Sequence, residues 1–300
     1  MLHTPLRRSA WLSERTGGDI FLKLESLQPT FSYKLRGATN AVLKLASSPD
    51  KSRQGIVTAS AGNHGRAMAH ACAAAGIPLT VYVPENAPRT KIGAIRALGA
   101  ELRLCGDYDE AEHRAKEQGA RGIAVFISPY AHPDVIAGAG TVALEILEDH
   151  PGMEMIVASI GGGGLISGIA LAVEGRAEAV GVEVEASTPF TTSLAAGRIT
   201  SITPRESLAD GLTGNLDPDS PTFDIVRQRV KRIAVVSEDD LRQAIRDAAR
   251  HERIIIEGAA AAALAALSSG RIDAAGKKVA VVVSGANIDL ETWGALALTS

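Results

Sequence analysis

Short runs of Val, Ile and Leu alternate with helix-like segments from one end of this sequence to the other. The runs LTVYVP (79–84), MIVASI (155–160) and KVAVVVSG (278–285) are largely apolar along their length. Such runs are typical of parallel strands that are buried on both faces of a sheet. Because parallel strands need crossover helices between them, the alternation predicts an α/β protein.

The sequence contains more strand-like runs than a single sheet would be expected to hold. We therefore expect two parallel-sheet α/β domains with a cleft between them. We assign residues 1–46 and 135–300 to a large domain and residues 55–134 to a small one. The stretch 186–231, rich in Ser, Thr, Pro and Asp, is the least regular and is expected either to cover the cleft or to be surface loop.

Composition narrows the class of protein. Hydrophobic residues make up 46% and charged residues 22% of the 300 residues, as in ordinary globular proteins. The formal net charge of −3 gives no electrostatic support for a nucleic-acid partner. No uninterrupted apolar run is long enough to span a bilayer, and the first residues lack the apolar core of a signal peptide. Cys72 and Cys105 form no CxxC motif, so we expect a cytoplasmic protein without disulfides or zinc clusters.

Four consecutive glycines, Gly161, Gly162, Gly163 and Gly164, stand between a predicted strand and a predicted helix. Bare backbone can turn tightly here and point several N–H groups at one spot. That spot is a helix N-terminus, where the dipole favours an anion. The loop is therefore a candidate phosphate site, and a flexible turn without ligand is the alternative.

A dinucleotide site is a second alternative for the same loop. Gly162-x-Gly164-x-x-Ser167 approaches the GxGxxG pattern, and Glu183 ends the next strand at a suitable distance. Ser167 replaces the third glycine, however. This interpretation implies an oxidoreductase that binds a dinucleotide at the glycine loop.

The segment Ser60-Ala61-Gly62-Asn63-His64 forms a second strand-to-helix turn. Its backbone N–H groups and the Ser60 hydroxyl could bind a carboxylate, and the Asn63 amide could bind a neutral oxygen. A capping turn closed by Ser60 or Asn63 is the structural alternative.

Two further residues are candidates. Lys34 stands near the start of a predicted helix (32–46) that Ser32 could cap, where a cation is disfavoured by the dipole and the amine is suited to covalent chemistry. Ser284 ends the apolar strand 278–285, at the edge where parallel sheets bind ligands. A solvated lysine and an ordinary strand-terminating serine are the alternatives.

Together the motifs resemble the fold-type II pyridoxal-phosphate enzymes, in their order and spacing. Within that group the chain is similar to the branch of serine/threonine dehydratases (ammonia-lyases) and serine racemases. The resemblance covers nearly the whole chain and implies the tryptophan synthase β-like fold, with the cofactor in the cleft between two domains. The segments that carry it, besides those above, are Thr4-Pro5-Leu6, LESLQPT, HPDVIAG, GGGGLISGIA, LADG and VSGAN.

The resemblance also implies a role for each motif. Lys34 would hold pyridoxal 5'-phosphate as a Schiff base and then move the α-proton of the substrate. The four glycines would hold the phosphate, Asn63 the ring 3'-oxygen, and Ser284 would face the pyridine nitrogen. The substrate carboxylate would lie at Ser60, Ala61 and His64.

The expected reaction is α,β-elimination from L-threonine or L-serine, giving a 2-oxo acid and ammonia. Racemase relatives have a second serine at the position of Ala61, so we expect little racemisation. His132 replaces an acidic residue near the substrate. The same elimination on another β-hydroxy amino acid, such as 3-hydroxyaspartate or an intermediate of hydroxyectoine breakdown, is therefore the alternative.

Two further expectations come from the resemblance alone. Racemase-type members bind a cation through acidic residues after the strand that ends here in Glu183. Glu183 matches the first metal ligand, but Pro189 stands where a second is expected, which argues against a mono- or divalent cation. The protein is expected to be a homodimer that acts on a small amino acid, without nucleic-acid or membrane partners.

Overall fold

The computed structural model describes residues 1–298, apart from the side chains of Pro49 and Lys51. Strands and helices alternate along the chain as the apolar runs predicted. The elements, in chain order, are β1 (Leu6–Arg8), α1 (Ala10–Thr16), β2 (Asp19–Leu24), α2 (Lys34–Ala46), α3 (Pro49–Gln54), β3 (Ile56–Ala59), α4 (Asn63–Ala75), β4 (Leu79–Pro84), α5 (Arg89–Ala97), β5 (Glu101–Cys105), α6 (Tyr108–Ala120), β6 (Val125–Phe126), α7 (Pro133–Asp149), β7 (Met155–Ser159), α8 (Gly164–Ala172), β8 (Glu178–Val184), α9 (Pro189–Ala196), α10 (Pro221–Arg229), β9 (Arg232–Val236), α11 (Glu238–Asp247), α12 (Gly258–Ser268), β10 (Lys278–Val283) and α13 (Leu290–Ala297).

The chain folds into two compact units, which are described separately. The smaller unit comprises Lys34–Ala139 together with Met1, and the larger comprises Leu2–Tyr33 with the residues from Gly140 onward. Helix α2 belongs to the smaller unit in this division, whereas the sequence-based assignment places residues 1–46 in the large domain. The reason is packing: Leu35 and Val42 of α2 are buried in one cluster with Met68 of α4.

The smaller unit is built on a four-stranded sheet in the order β5-β4-β3-β6, and its strand pairs are parallel. The β3 strand is buried along its whole length, as a central parallel strand must be. Because parallel strands end at one edge, the turn after β3 opens at the edge where ligands bind in such sheets.

The larger unit is built on a six-stranded sheet in the order β1-β2-β10-β7-β8-β9. Within residues 1–298, its β1–β2 pair is antiparallel and its other pairs are parallel. Helix α12 is buried over its whole length, since its many alanines pack closely on the sheet. The parallel α/β sheets that the sequence predicted are thus confirmed.

Two helices lie in the stretch 186–231, which the sequence predicts to be the least regular. They are α9 and α10, and each begins with a proline at its first helical position, where no N–H is needed. Ser237 is the N-cap of α11 and forms a capping box with Asp240. Ser32 is not an N-cap: α2 begins at Lys34, and the backbone of Ser32 pairs with Gly285. None of the helices within residues 1–298 has both the length and the apolar character needed to cross a membrane.

Candidate active site

In the smaller unit, the turn after β3 carries the predicted segment 60–64. Helix α4 starts at Asn63 with Gly62 as its N-cap, and no side chain caps it. Ser60 instead accepts the Gly62 N–H on its Oγ, at 3.2 Å. A Cβ on Gly65 would stand 2.1 Å from the Ser60 carbonyl oxygen, so this glycine lets α4 approach the turn closely. The structure therefore does not support the capping alternative for Ser60 or Asn63.

His64 is the second residue of α4 and is only 2% exposed. Neither ring nitrogen makes a hydrogen bond of regular geometry within the described residues. Burial, and secondarily the positive charge of Lys34, lowers the pKa of His64 to about 3, although the Ile127 carbonyl favours the charged ring slightly. His64 is consequently a neutral, buried imidazole close enough to Lys34 to feel its charge.

Lys34 is the first residue of α2, and its Nζ donates to the carbonyl oxygen of Pro129 at 2.7 Å. The next residues hold the helix in place: a Cβ on Gly37 would stand 2.7 Å from the Val135 carbonyl oxygen. Arg36 is buried in the same turn. The amine therefore projects from a helix start whose backbone is tightly packed.

His132 immediately precedes α7 and acts as a cap of that helix. Its Nδ1 accepts the Asp134 N–H at 3.2 Å, and its carbonyl accepts the N–H groups of Val135 and Ile136. Burial lowers the pKa of His132, while the Asp134 carboxylate opposes the shift. His132 also contributes to the electrostatic field at His64. Lys34, His64 and His132 thus lie together in the smaller unit.

In the larger unit, the glycine loop joins β7 to α8. Gly163 is the N-cap of α8 with φ 86°, a left-handed conformation that favours glycine. None of the N–H groups of Gly161, Gly162 and Gly163 has a hydrogen-bond partner among the described residues. Unpaired N–H groups at a helix N-terminus form an anion cradle.

Two residues outside the predicted motifs support this loop. Thr222 donates its hydroxyl to the Gly162 carbonyl at 2.9 Å. Phe190, fully buried, lies so close beneath Gly163 that an added Cβ would stand 2.5 Å from its Cζ. Phe190 belongs to α9 and Thr222 belongs to α10. Each of these helices begins after a Thr-Pro or Ser-Pro pair, at 188–189 and 220–221, and such pairs are typical of helix starts. These pairs are the sequence signal that could have identified the two residues.

Glu183 is fully buried near the end of β8. Its carboxylate accepts the N–H groups of Phe190 and Thr191 at 2.7 and 2.9 Å, and the Thr191 hydroxyl at 2.5 Å. Pro189 begins helix α9. Within the described residues, no group of three or more His, Cys, Asp or Glu side chains is placed to hold a metal ion.

Ser284 follows β10 and is 4% exposed. Strands β10 and β7 are parallel neighbours, so Ser284 and the glycine loop lie at the same edge of the sheet. The Ser284 carbonyl accepts the N–H of Tyr33, the residue before Lys34, at 3.0 Å. The chain leading to Lys34 is thereby tied to the end of β10.

Phe31, in that same segment, has φ 56°, which is rare for a residue other than glycine. Its N–H donates to the Gln28 carbonyl at 2.7 Å, and its own carbonyl accepts the Ala286 N–H at 2.9 Å. These bonds hold the unusual conformation in place, while the phenyl group is 47% exposed.

Comparison with known proteins defines the class. The family of pyridoxal-phosphate dependent enzymes matches residues 2–285. The chain is 41% identical to the L-threonine ammonia-lyase of Thermotoga maritima over 96% of this chain and 72% of that protein. It is 40% identical to the catabolic L-threonine dehydratase of Escherichia coli K12, over 96% and 88% respectively. The solved structure of maize serine racemase superimposes with a TM-score of 0.91 at 31% identity, covering 98% of this chain and 92% of that one.

The chain therefore belongs to the pyridoxal-phosphate dependent enzyme family, with the fold-type II architecture. Pyridoxal phosphate is the cofactor that this membership implies, and the dinucleotide alternative for the glycine loop is set aside. The residues present fit the cofactor. Gly161 to Gly163 offer unpaired N–H groups for a phosphate, Lys34 offers an amine, and Ser284 offers a hydroxyl at the sheet edge beside the loop.

Proposed function

We propose that this protein is a pyridoxal-phosphate dependent ammonia-lyase that converts L-threonine or L-serine to a 2-oxo acid and ammonia. The observation that carries the proposal is the row of unpaired N–H groups at Gly161 to Gly163, before α8. Two relatives about 40% identical to this chain are named as threonine ammonia-lyase and threonine dehydratase, which supports elimination as the reaction.

Each candidate residue has a task in this proposal. The glycine loop would bind the phosphate through backbone N–H groups, and Asn63 would donate to the ring 3'-oxygen. Ser284 would hold the cofactor at its pyridine nitrogen. When bound, pyridoxal phosphate supplies the electron sink for the bond broken at the substrate Cα. Because the serine hydroxyl carries no charge, it would not hold a proton on the ring nitrogen; negative charge at Cα would then be weakly stabilised, which would favour prompt loss of the β-hydroxyl.

Lys34 would hold the cofactor covalently and, once displaced by the substrate amine, would be free to take the proton from the substrate Cα. Ser60, Ala61 and His64 line the position of the substrate carboxylate. Lys34 would pass this proton to the β-hydroxyl, which leaves as water, and the enamine formed by the elimination hydrolyses to the 2-oxo acid and ammonia. Ala61 has no side-chain atom that can hold a proton, so Lys34 is the only proton-transfer base proposed at Cα, and elimination should exceed racemisation.

The direct test is the visible absorbance of purified protein supplied with pyridoxal phosphate. Wild type should show an absorbance band from the lysine-bound cofactor and should release ammonia from threonine. The Lys34→Ala variant should show neither the band nor the activity. Lys44→Ala is the matched control, since Lys44 is a surface residue of the same helix that pairs with Asp134. A Lys34→Ala protein that keeps both the band and the activity would disprove the assignment.

A second candidate substrate rests on His132. An imidazole in the place of an acidic residue would suit a β-hydroxy amino acid with a second carboxylate, such as 3-hydroxyaspartate, or a hydroxyectoine-derived substrate. Ammonia release across a panel of such compounds ranks them by kcat/KM. Interconversion of L- and D-serine as fast as ammonia release would instead favour a racemase, the activity named for the maize protein.

The expected assembly and location complete the proposal. We infer a cytoplasmic homodimer without a nucleic-acid or membrane partner. The buried, reduced thiols of Cys72 and Cys105 agree with a reducing compartment. Light scattering of the purified protein tests the dimer, and fractionation of the producing cells tests the location.

A further inference from the structure

The contacts of Glu183 are those of a helix cap. Helix α9 begins with Pro189, which has no N–H to satisfy. The next two N–H groups, of Phe190 and Thr191, both donate to Glu183, each to a different carboxylate oxygen. A negative charge at this end of a helix also interacts favourably with the helix dipole.

The Glu183 carboxylate is committed to this role. Burial raises the pKa of Glu183, and the three bonds from Thr191 and Phe190 counteract that shift. Both oxygens are occupied, and the side chain is completely shielded from solvent. A buried carboxylate is stable only when hydrogen-bond donors compensate its desolvation. Loss of these donors would therefore cause Glu183 to become protonated or exposed to solvent, or would displace helix α9.

Helix α9 in turn supports the glycine loop. Phe190, whose N–H is bound by Glu183, lies with its ring edge against Gly163: an added Cβ there would be 2.5 Å from Cζ and 3.0 Å from Cε2. The Cβ of Thr222 also lies 3.0 Å from the same point. Because Gly163 is held this closely, a shift of α9 would change the direction of the N–H groups before α8.

We propose that Glu183 is a positioning residue for the phosphate-binding loop, acting through the cap of α9 and the Phe190 ring, with no metal ion bound to it. The inference rests on the proposed function, since the phosphate of the cofactor is what the loop would bind.

The test is the dissociation constant of pyridoxal phosphate, measured on apoprotein by fluorescence titration. In Glu183→Ala it should rise about tenfold, the loss expected for one good helix cap. Glu185→Ala is the matched control, because Glu185 lies two residues further along and is exposed; it should bind as wild type does. Magnesium chloride or EDTA should leave wild-type affinity unchanged.

Two further variants keep the inference testable if Glu183→Ala does not fold. Thr191→Val removes one donor to Glu183 at constant shape and should weaken cofactor binding about twofold to threefold. Phe190→Leu should also weaken cofactor binding. In the double variant with Thr191→Val, the loss of affinity should be smaller than the sum of the two single losses, because both residues act through the same contact.

Three outcomes would overturn the inference. They are unchanged affinity in a folded Glu183→Ala, unchanged affinity in Thr191→Val, and a wild-type affinity that depends on magnesium. Failure of wild type to bind pyridoxal phosphate at all would overturn the proposed function as well, so the two failures are distinguishable.

Discussion

The β3–α4 and β7–α8 junctions share the same strand–glycine–helix arrangement, but one presents side chains and the other presents backbone N–H groups. Each follows a buried parallel strand, and each starts a helix at a glycine N-cap, Gly62 in one and Gly163 in the other. The first carries side chains, with Ser60 and His64 around its glycine. The second has only backbone to offer, and its glycine is left-handed and wedged against an aromatic ring.

In the proposed function, this difference lets one kind of turn recognise two kinds of group. Backbone N–H groups at a helix start suit a phosphate of fixed position, which needs charge and little selectivity. Side chains can discriminate among substrates, but they must be buried with polar atoms unsatisfied until a ligand arrives. His64 illustrates that cost, since burying its imidazole without a hydrogen bond of regular geometry destabilises the fold.

The largest expected effect concerns this buried histidine. The pKa of His64 is lowered from 6.5 to about 3, so the folded protein resists protonation that the unfolded chain accepts. Acid therefore destabilises the folded protein through His64: the effect is absent above pH 6.5 and grows as the pH falls toward 3, where it amounts to roughly 4 kcal/mol. Urea unfolding at pH 7 and pH 4 should show a smaller difference in His64→Gln than in wild type.

His113→Gln supplies the control, since His113 is exposed on α6, and it should keep the wild-type pH dependence. If His64→Gln loses stability with acid as steeply as wild type, the neutral buried imidazole is not the cause.

The next effect compares the two glycine caps directly. Gly163→Ala forces a Cβ into a left-handed residue and against Phe190, and should cost about 2–4 kcal/mol while sharply weakening cofactor binding. Gly62→Ala adds a Cβ with nothing within 4 Å, so its cost should stay within about 1 kcal/mol. Thermal unfolding of both apoproteins measures the contrast, and equal losses would show that the caps do not differ as described.

The smallest effect separates cofactor from substrate. Ser60→Ala removes the hydroxyl that accepts the Gly62 N–H and should destabilise the protein by about 0.5–1 kcal/mol. It should raise the KM for threonine while leaving the dissociation constant of pyridoxal phosphate unchanged. A variant in which the cofactor constant moves and KM does not would reverse the assignment of the two junctions.

Much of this architecture is predictable because it rests on local patterns. Buried parallel strands appear in the sequence as apolar runs, and the strand–glycine–helix turn follows from the order of residues alone. Helices α9 and α10 escape prediction because Ser, Thr, Pro and Asp suggest loops, although a proline after Thr188 or Ser220 equally begins a helix.

The features that could not be predicted from the sequence depend on contacts between residues that are distant along the chain. Ser32 has the composition of a helix cap, but its backbone pairs with Gly285 more than two hundred residues later, so the helix starts at Lys34. Glu183 matches a metal ligand by position, and only the fold places the N–H groups of α9 on its oxygens. That His64 is buried without regular partners is likewise invisible in a motif of five letters.

The backbone conformation of Phe31 suggests a substitution that would raise the thermal stability of the protein. A left-handed backbone costs a residue with a side chain about 1 kcal/mol or more, whereas glycine adopts it freely. The phenyl group is about half exposed, so removing it loses little burial. Phe31→Gly is therefore a candidate for raising the melting temperature by a few degrees, even though it lies only three positions from the lysine on which the proposed chemistry depends.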